Sequence, residues 1–533
     1  MSVFFSKKNL TTDTPPPRKV VSIMKKLILL FTVITASLIA NATTTFYFKG
    51  EKGTNNMSST SGWTLDADGT TPASLSPYDY WKADKEEDVN LVFGKNTTYG
   101  SCQITTANKY FEIANITFAS DLVGKNGSFS LWNYTVPNAL KVTNDITLED
   151  NGVGYTTYIS YAQNVFAANN LSVSVGGNIN VGNGVTLKIG TGTAAWTGHM
   201  ITALTVGNEN SATSGNINVT ATTKNTNLYI GTIAENANAS APSTQILGKI
   251  NLTSSDTATA TAIIFAGNPS ASYYATYLPY DWCKINYTSI GGLSGNGNFY
   301  ASNMNTYLDE NAYKLSINLE INAKNTDSTF TGNFSSLNAT SSTKRAEDVT
   351  FNITKTGSKT QTIIASSASV STVKINEGEL ALSNVSGSFG DITLNNGILS
   401  VAGASTETNI GELCADSITW NGGTINIDIN EYTADLITVN DFSKGEADTF
   451  NFIFTEGEDG IVIDTDYLIV NAEGGSFGFD ASDFSAEIDG YLADFTIDGN
   501  QLFVSFTAVP EPATIAGIFG VLALAFAAYR RRK

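Results

Sequence analysis

VKINEGELAL (373–382), ITLNNGILSV (392–401) and ITWNGGTINI (418–427) are three versions of one line of sequence. Written beneath one another, they place Val373, Ile392 and Ile418 in one column and Ile375, Leu394 and Trp420 in the next. Asn376, Asn395 and Asn421 follow, then Gly378, Gly397 and Gly423, then Leu380, Leu399 and Ile425, and last Leu382, Val401 and Ile427. The first step is 19 residues and the second 26, the extra seven being an insertion of the kind that repeat loops absorb. Apolar residues two apart on each side of Asn-x-Gly read as two short strands, each with one buried face, joined at a corner that glycine permits. One such line cannot bury its apolar side alone, so copies must stack. The repeated Asn then predicts a ladder of side-chain hydrogen bonds running across the stack.

Similar alternation fills the rest of the body. LKVTNDITL (140–148), LSVSVGGNINV (171–181), VTLKIG (185–190), INVTATT (217–223), LYIGT (228–232) and KINLT (249–253) are separated by Gly and Asn turn residues. GNINV (177–181) recurs as GNINV (215–219) and as GKINL (248–252), and each interval is close to two units of 19–22 each. The predicted fold class is all-β, a parallel β-helix (solenoid). Consecutive antiparallel β-sandwich modules are the alternative. The expected organisation is a leader and signal peptide at 1–42, an N-terminal β cap at 43–130 and β-helix repeats at 131–430. An acidic C-terminal β cap at 431–508 and a sorting tail at 509–533 complete it.

Charge narrows the function. Of 30 Lys and Arg and 49 Asp and Glu, the segment 43–508 keeps 20 bases and 47 acids. A body this acidic repels nucleic acid and anionic membranes. Three cysteines, Cys102, Cys283 and Cys414, stand far apart without metal-type spacing and read as small buried apolar residues.

The two ends carry an address. MKKLILLFTVITASLIANA (24–42) has a basic start at Lys25 and Lys26, an apolar run, and small residues at Ala40 and Ala42, so signal peptidase is expected to cut before Thr43. Residues 1–23 then read as an upstream start, because Met24 begins a complete signal. At the other end, Pro510, Glu511 and Pro512 precede a charge-free run, 513–529, and a basic stop of Arg530, Arg531, Arg532 and Lys533. That run predicts a short transmembrane helix with its basic end in the cytoplasm, while the two prolines keep helix from spreading back into the body.

Val509-Pro510-Glu511-Pro512, the apolar run and the Arg cluster together resemble the PEP-CTERM sorting signal of Gram-negative bacteria. The resemblance is confined to 509–533. It implies that exosortase recognises Pro510, Glu511 and Pro512, removes the tail from an inner-membrane-anchored precursor, and passes the body to the cell surface or biofilm matrix. It also implies association with extracellular polysaccharide. The repeat at 373–427 resembles the autotransporter-associated β-strand repeats of passenger domains, although no C-terminal stretch is long enough for their membrane β-barrel. The stretch from Trp63 to Phe93 is similar to the Trp-rich opening of such arrays and is expected to cap the first coil.

The sequence offers little for chemistry, and no catalytic, cofactor-binding or metal residue is assigned. His199 is the only histidine, which removes multi-His zinc sites, and it reads as a turn or surface residue. Arg345, beside Lys344, is the only arginine of the body and a thin basis for a lyase acting on uronic acids. A carboxylate pair for glycoside hydrolysis stays open, because sequence spacing does not set distance in space. Residues 431–500 hold 17 acids against one base, Lys444. No run matches a full calcium-loop pattern, so these acids read as a solvated face, and Ca²⁺ held by Asp464 with Asp466, or by Asp480 with Asp483, is the alternative. The expected function is a structural or adhesive, glycan-binding surface protein, and a polysaccharide-degrading β-helix enzyme is the alternative.

Overall fold

The computed structural model describes residues 43–509 and 512–531, apart from 51–55, 84–87, 98–99, 104–109, 123–127, 134–138, 151–153, 162–170, 191–200, 209–214, 232–242, 267–284, 304–314, 338–348, 404–409, 476 and 489. The chain is mostly β-strand, gathered into sheets of 27, ten and five strands. Pairing is parallel almost throughout, because each strand bonds to its equivalent one repeat later.

The opening alignment is realised residue by residue. Thr372–Ile375 pairs with Asp391–Leu394, setting Val373 beside Ile392 and Ile375 beside Leu394. Asp391–Leu394 pairs in turn with Ser417–Trp420, setting Ile392 beside Ile418 and Leu394 beside Trp420. On the far side of the corner, Glu379–Asn384 pairs with Ile398–Val401 and sets Leu380 beside Leu399. All these apolar side chains are buried. A constant period with side chains alternating in and out sends the same residues inward at every step, so the columns read in sequence become columns of core. Gly378, Gly397 and Gly423 take φ of 67°, 93° and 77°, a region that side chains with a Cβ disfavour.

Upstream, the spacing divides differently from the two-unit expectation. Ile179–Val181 pairs directly with Ile217–Thr220, and that strand with Thr244–Thr253, so each interval between the GNINV-type segments is a single strand-to-strand step. Between the first two lie Thr186–Ile189, a member of the ten-stranded sheet, and Ile201–Val206, which pairs elsewhere in the large sheet. Longer connections stretch the period without adding a step. Among the described strands, antiparallel pairs occur only in the Thr44–Phe48 hairpin with Trp63–Thr64, the Thr424–Glu431 hairpin with Thr433–Ala434, and the five-stranded sheet. Tandem antiparallel sandwiches are not what these registers build.

Aromatic rings collect among the first and last strands and once between them, where Phe299, Phe330, Phe334 and Phe351 meet. Trp63 folds back on the first strand, where its ring centroid lies 4.9 Å from that of Phe48 and 5.9 Å from that of Phe93. Its indole N–H donates to the Asn56 carbonyl at 3.1 Å. At the other end Trp420 meets Phe450 and Phe452 at 5.1 and 5.2 Å, and Phe479 meets Phe442 at 4.8 Å. Ile, Leu and Val dominate the core between them. Each ring covers more apolar area than an aliphatic side chain does.

Pro512–Arg531 forms a helix of 20 residues, with Pro512 in the first-turn place that proline tolerates. No helix among the described residues is long and apolar enough to cross a membrane. The expected transmembrane helix is corrected accordingly. Its charge-free part, 513–529, falls short of the ~20 apolar residues that a bilayer core demands. Its described apolar side chains, among them Phe519, Leu524 and Phe526, are exposed.

Candidate functional surface

The ten-stranded sheet carries almost no charge in its strands. Its strands run SCQ (101–103), SFSLWN (128–133), TTYISY (156–161), TLKI (186–189), TNLYI (226–230), ATAIIFA (260–266), NFYASN (298–303), NFSSL (333–337), SAS (367–369) and GS (387–388). None holds an acid, and Lys188 is the one charged residue among them. Strand acids lie in the other two sheets and mostly late in the chain, as in DITL (391–394), TINIDINE (424–431) and YLADFTID (491–498), while many strands of the large sheet, such as INVT (217–220) and TQTIIA (360–365), are acid-free as well.

Alternation sorts this sheet into an apolar inner side and a polar outer one. Leu187, Leu228, Ala262, Phe299 and Phe334 follow one another in register and are buried. Their neighbours Lys188, Tyr229, Ile263, Tyr300 and Ser335 form the adjacent outward column, half-buried rather than immersed. Two residues along each strand, Thr186, Asn227, Thr261, Asn298 and Asn333 make a parallel column of amides and hydroxyls. Asn227 Nδ2 donates to Thr186 Oγ1 at 3.3 Å, and Asn333 Nδ2 to Asn298 Oδ1 at 2.8 Å.

Lys188 Nζ lies 5.0 Å from the centre of the Tyr229 ring, within cation–π range. Partial burial lowers the Lys188 pKa and raises those of Tyr229 and Tyr300, so both tyrosines are neutral donors at ordinary pH. Flat rings, an aliphatic side chain and neutral hydrogen-bonding groups are thus held on one face by parallel strands.

Three polar groups inside the stack escaped the sequence reading. Lys355 follows Phe351 and Ile353 at the same inward parity and pairs with Ile375. Its ammonium donates to the carbonyls of Thr356, Gly357 and Glu377 at 2.9, 2.6 and 3.2 Å. Burial pulls its pKa down to about 8, partly offset by Glu377 and Glu379. Gln361, also buried, accepts from Leu293 N–H and donates to Leu293 O, each at 2.9 Å, tying together two strands far apart in the chain. Asp435 is buried and accepts the N–H of Gly411 on Oδ1 at 2.6 Å and that of Asp428 on Oδ2 at 2.8 Å. Burial pushes its pKa up to about 8, against the pull of those two donors. These groups fasten backbone, and each has its hydrogen-bonding partners within the fold.

The residues singled out by sequence are scattered. Thr43 is exposed just before the first strand, while Ala40 and Ala42 lie outside the described residues. Pro510, Glu511, Arg532 and Lys533 also lie outside them. Pro512 opens the C-terminal helix, and Arg530 and Arg531 stand in its last turn. His199, Lys344, Arg345 and Cys283 lie outside the described residues. Cys102 is buried as expected, whereas Cys414 is partly exposed, and neither is in a disulfide.

Of the acids considered for Ca²⁺, Asp483 is engaged elsewhere. Asp483 Oδ1 accepts from Lys444 Nζ at 2.7 Å and Oδ2 from the Asp480 N–H at 2.8 Å, and these contacts lower its pKa. No group of three or more His, Cys, Asp or Glu among the described residues is placed to hold a metal ion. Comparison of the sequence with models of known families and with curated proteins finds no match to either.

Proposed function

We propose that this chain is an exported, exosortase-processed component of the cell surface or extracellular matrix of a Gram-negative bacterium, whose parallel β-helical body binds neutral glycan. The observation that carries the binding reading is the in-register outer column of tyrosines, amides and hydroxyls on the ten-stranded sheet, whose strands hold no acid. A face that offers tyrosine rings, amides and hydroxyls without net repulsion suits sugar rings, which have apolar faces and hydroxyl edges. Repetition along the stack supplies many weak contacts, and simultaneous engagement turns these into avidity.

The in-register parallel columns support the β-helix, since stacking one strand per repeat in several sheets at once is how such a coil is built. The export reading rests on the sequence of the two ends: the signal peptide cut before Thr43, the sorting motif Pro510–Pro512, and the basic stop from Arg530 to Lys533. On this reading the tail is a sorting label that exosortase removes.

Full-length protein applied to a panel of immobilised polysaccharides tests the activity. Retention without new reducing or unsaturated ends supports a binder, release of such ends supports the enzyme alternative, and no retention anywhere refutes glycan binding. For the address, surface-released protein should begin at Thr43. Joint replacement Pro510→Ala and Pro512→Ala should leave the tail attached, and unchanged tail removal would refute the sorting role.

A further inference from the structure

We infer that the neutral face takes an unbranched, uncharged β-1,4-linked hexose chain lying along the stacking direction, with Tyr229 and Tyr300 on alternate sugars. The inference rests on the glycan-binding reading and names its ligand class. Tyr229 pairs with Ile263 and Ile263 with Tyr300, so the two tyrosines stand two strand steps apart. At ~4.8 Å per step they are separated by about 9.6 Å along the stack. Tyr158 occupies the register position two steps to the other side of Tyr229, through Lys188. Tyr158, Tyr229 and Tyr300 are accordingly spaced evenly in the sequence as well as in the sheet.

A β-1,4-linked chain is a nearly flat ribbon in which each sugar is turned over relative to the last. Alternate sugars present the same face, and one sugar covers about one strand step. A ribbon laid on this column sets every second ring over a tyrosine, with Ile263 beneath the sugar between. Its hydroxyl edge then runs beside Asn227, Thr261, Asn298 and Asn333, one polar side chain per step. α-1,4 and β-1,3 chains coil, so they lift off a straight column after a sugar or two. A uronate chain would find one cation, Lys188, and would be repelled by the acidic body.

The test is titration calorimetry of full-length protein with β-1,4-glucan oligosaccharides of two to six units, beside matched α-1,4 and β-1,3 series. Affinity should rise roughly tenfold when the third sugar lets one chain reach both tyrosines. Tyr229→Ala and Tyr300→Ala should each abolish that rise, Tyr229→Phe should keep it, and Tyr432→Ala, at an exposed position in the large sheet's hairpin, should leave it unchanged. Melting temperatures of the variants establish that they are folded. Equal affinity for the coiled series, no step with length, or tyrosine variants that are folded and bind normally would overturn the ribbon model while leaving glycan binding intact. Stronger binding of an acidic polysaccharide would overturn it in the same way. No binding to any polysaccharide overturns the broader reading as well.

Discussion

Asn395 donates its side-chain amide to Oδ1 of Asn376 at 2.8 Å, and Asn421 donates to Asn395 at the same distance. A second ladder runs through Asn180, Asn218 and Asn251, with bonds of 2.8 and 2.6 Å, and ends on the hydroxyl of Ser294. Each amide gives to one neighbour and receives from the next, so an interior rung makes two bonds. Asn395→Ala should cost about 1–2 kcal/mol, one net hydrogen bond on each side. Asn395→Asp, which accepts from Asn421 but donates nothing to Asn376, should fall between. Thermal unfolding followed by circular dichroism reads both, and an unchanged midpoint for Asn395→Ala would show that the rungs contribute nothing.

Gly397 and Gly499 separate two costs that usually travel together. Both have positive φ, 93° and 61°, but a Cβ on Gly397 would lie 2.5 Å from the Gly378 carbonyl oxygen, whereas nothing lies within 4 Å of one on Gly499. Gly499→Ala should therefore show only backbone strain, about 1–2 kcal/mol. Gly397→Ala should lower the midpoint further, because the corner must open against the repeat below it. Equal losses would mean that the corners are not in tight contact.

Asp435 should make the chain more stable in acid than its own replacement is. In the folded chain the carboxyl keeps its proton to about pH 8, and in an unfolded chain to about pH 4. Between those values the folded state binds more proton than the unfolded, so this contribution falls as pH rises from about 4 to about 8. The melting-temperature difference between native chain and Asp435→Asn should shrink across that window and level off above it. A flat difference would show that Asp435 is ionised in the fold.

Lys355 works in the opposite sense. Its folded pKa of about 8 lies below the ~10.4 of an unfolded lysine, so between those values the folded state binds less proton. Stability relative to Lys355→Met should rise as pH climbs from about 8 to about 10. A difference independent of pH would mean that the ammonium suffers no penalty for its burial among carbonyls.

The register at 373–427 could be read from residues because short corners hold the period constant there, and the Asn and Gly columns lock its phase. Upstream the same motif was misdivided: connections of unequal length between the strands of different sheets make one long step look like two short ones. Lys355 and Asp435 left weaker traces. Lys355 has the inward parity of Phe351 and Ile353, yet a lysine in alternating sequence is ordinarily assigned to solvent. Asp435 is held inside by two backbone donors, Asp428 across its own hairpin and Gly411 from an earlier segment, which its alternation pattern does not display. The equal spacing of Tyr158, Tyr229 and Tyr300 was present throughout, but it acquires meaning only when all three are placed in one sheet and one register column.

The body's charge is divided unevenly along the chain: 379–508 holds 23 acids against one base, Lys444, whereas 43–378 holds 24 acids against 19 bases. The strands that follow Glu379 therefore form the strongly negative part, and those before it come close to balance. On the role proposed above, a polyanionic surface would repel the late strands first and admit the earlier ones, and added salt would screen that preference.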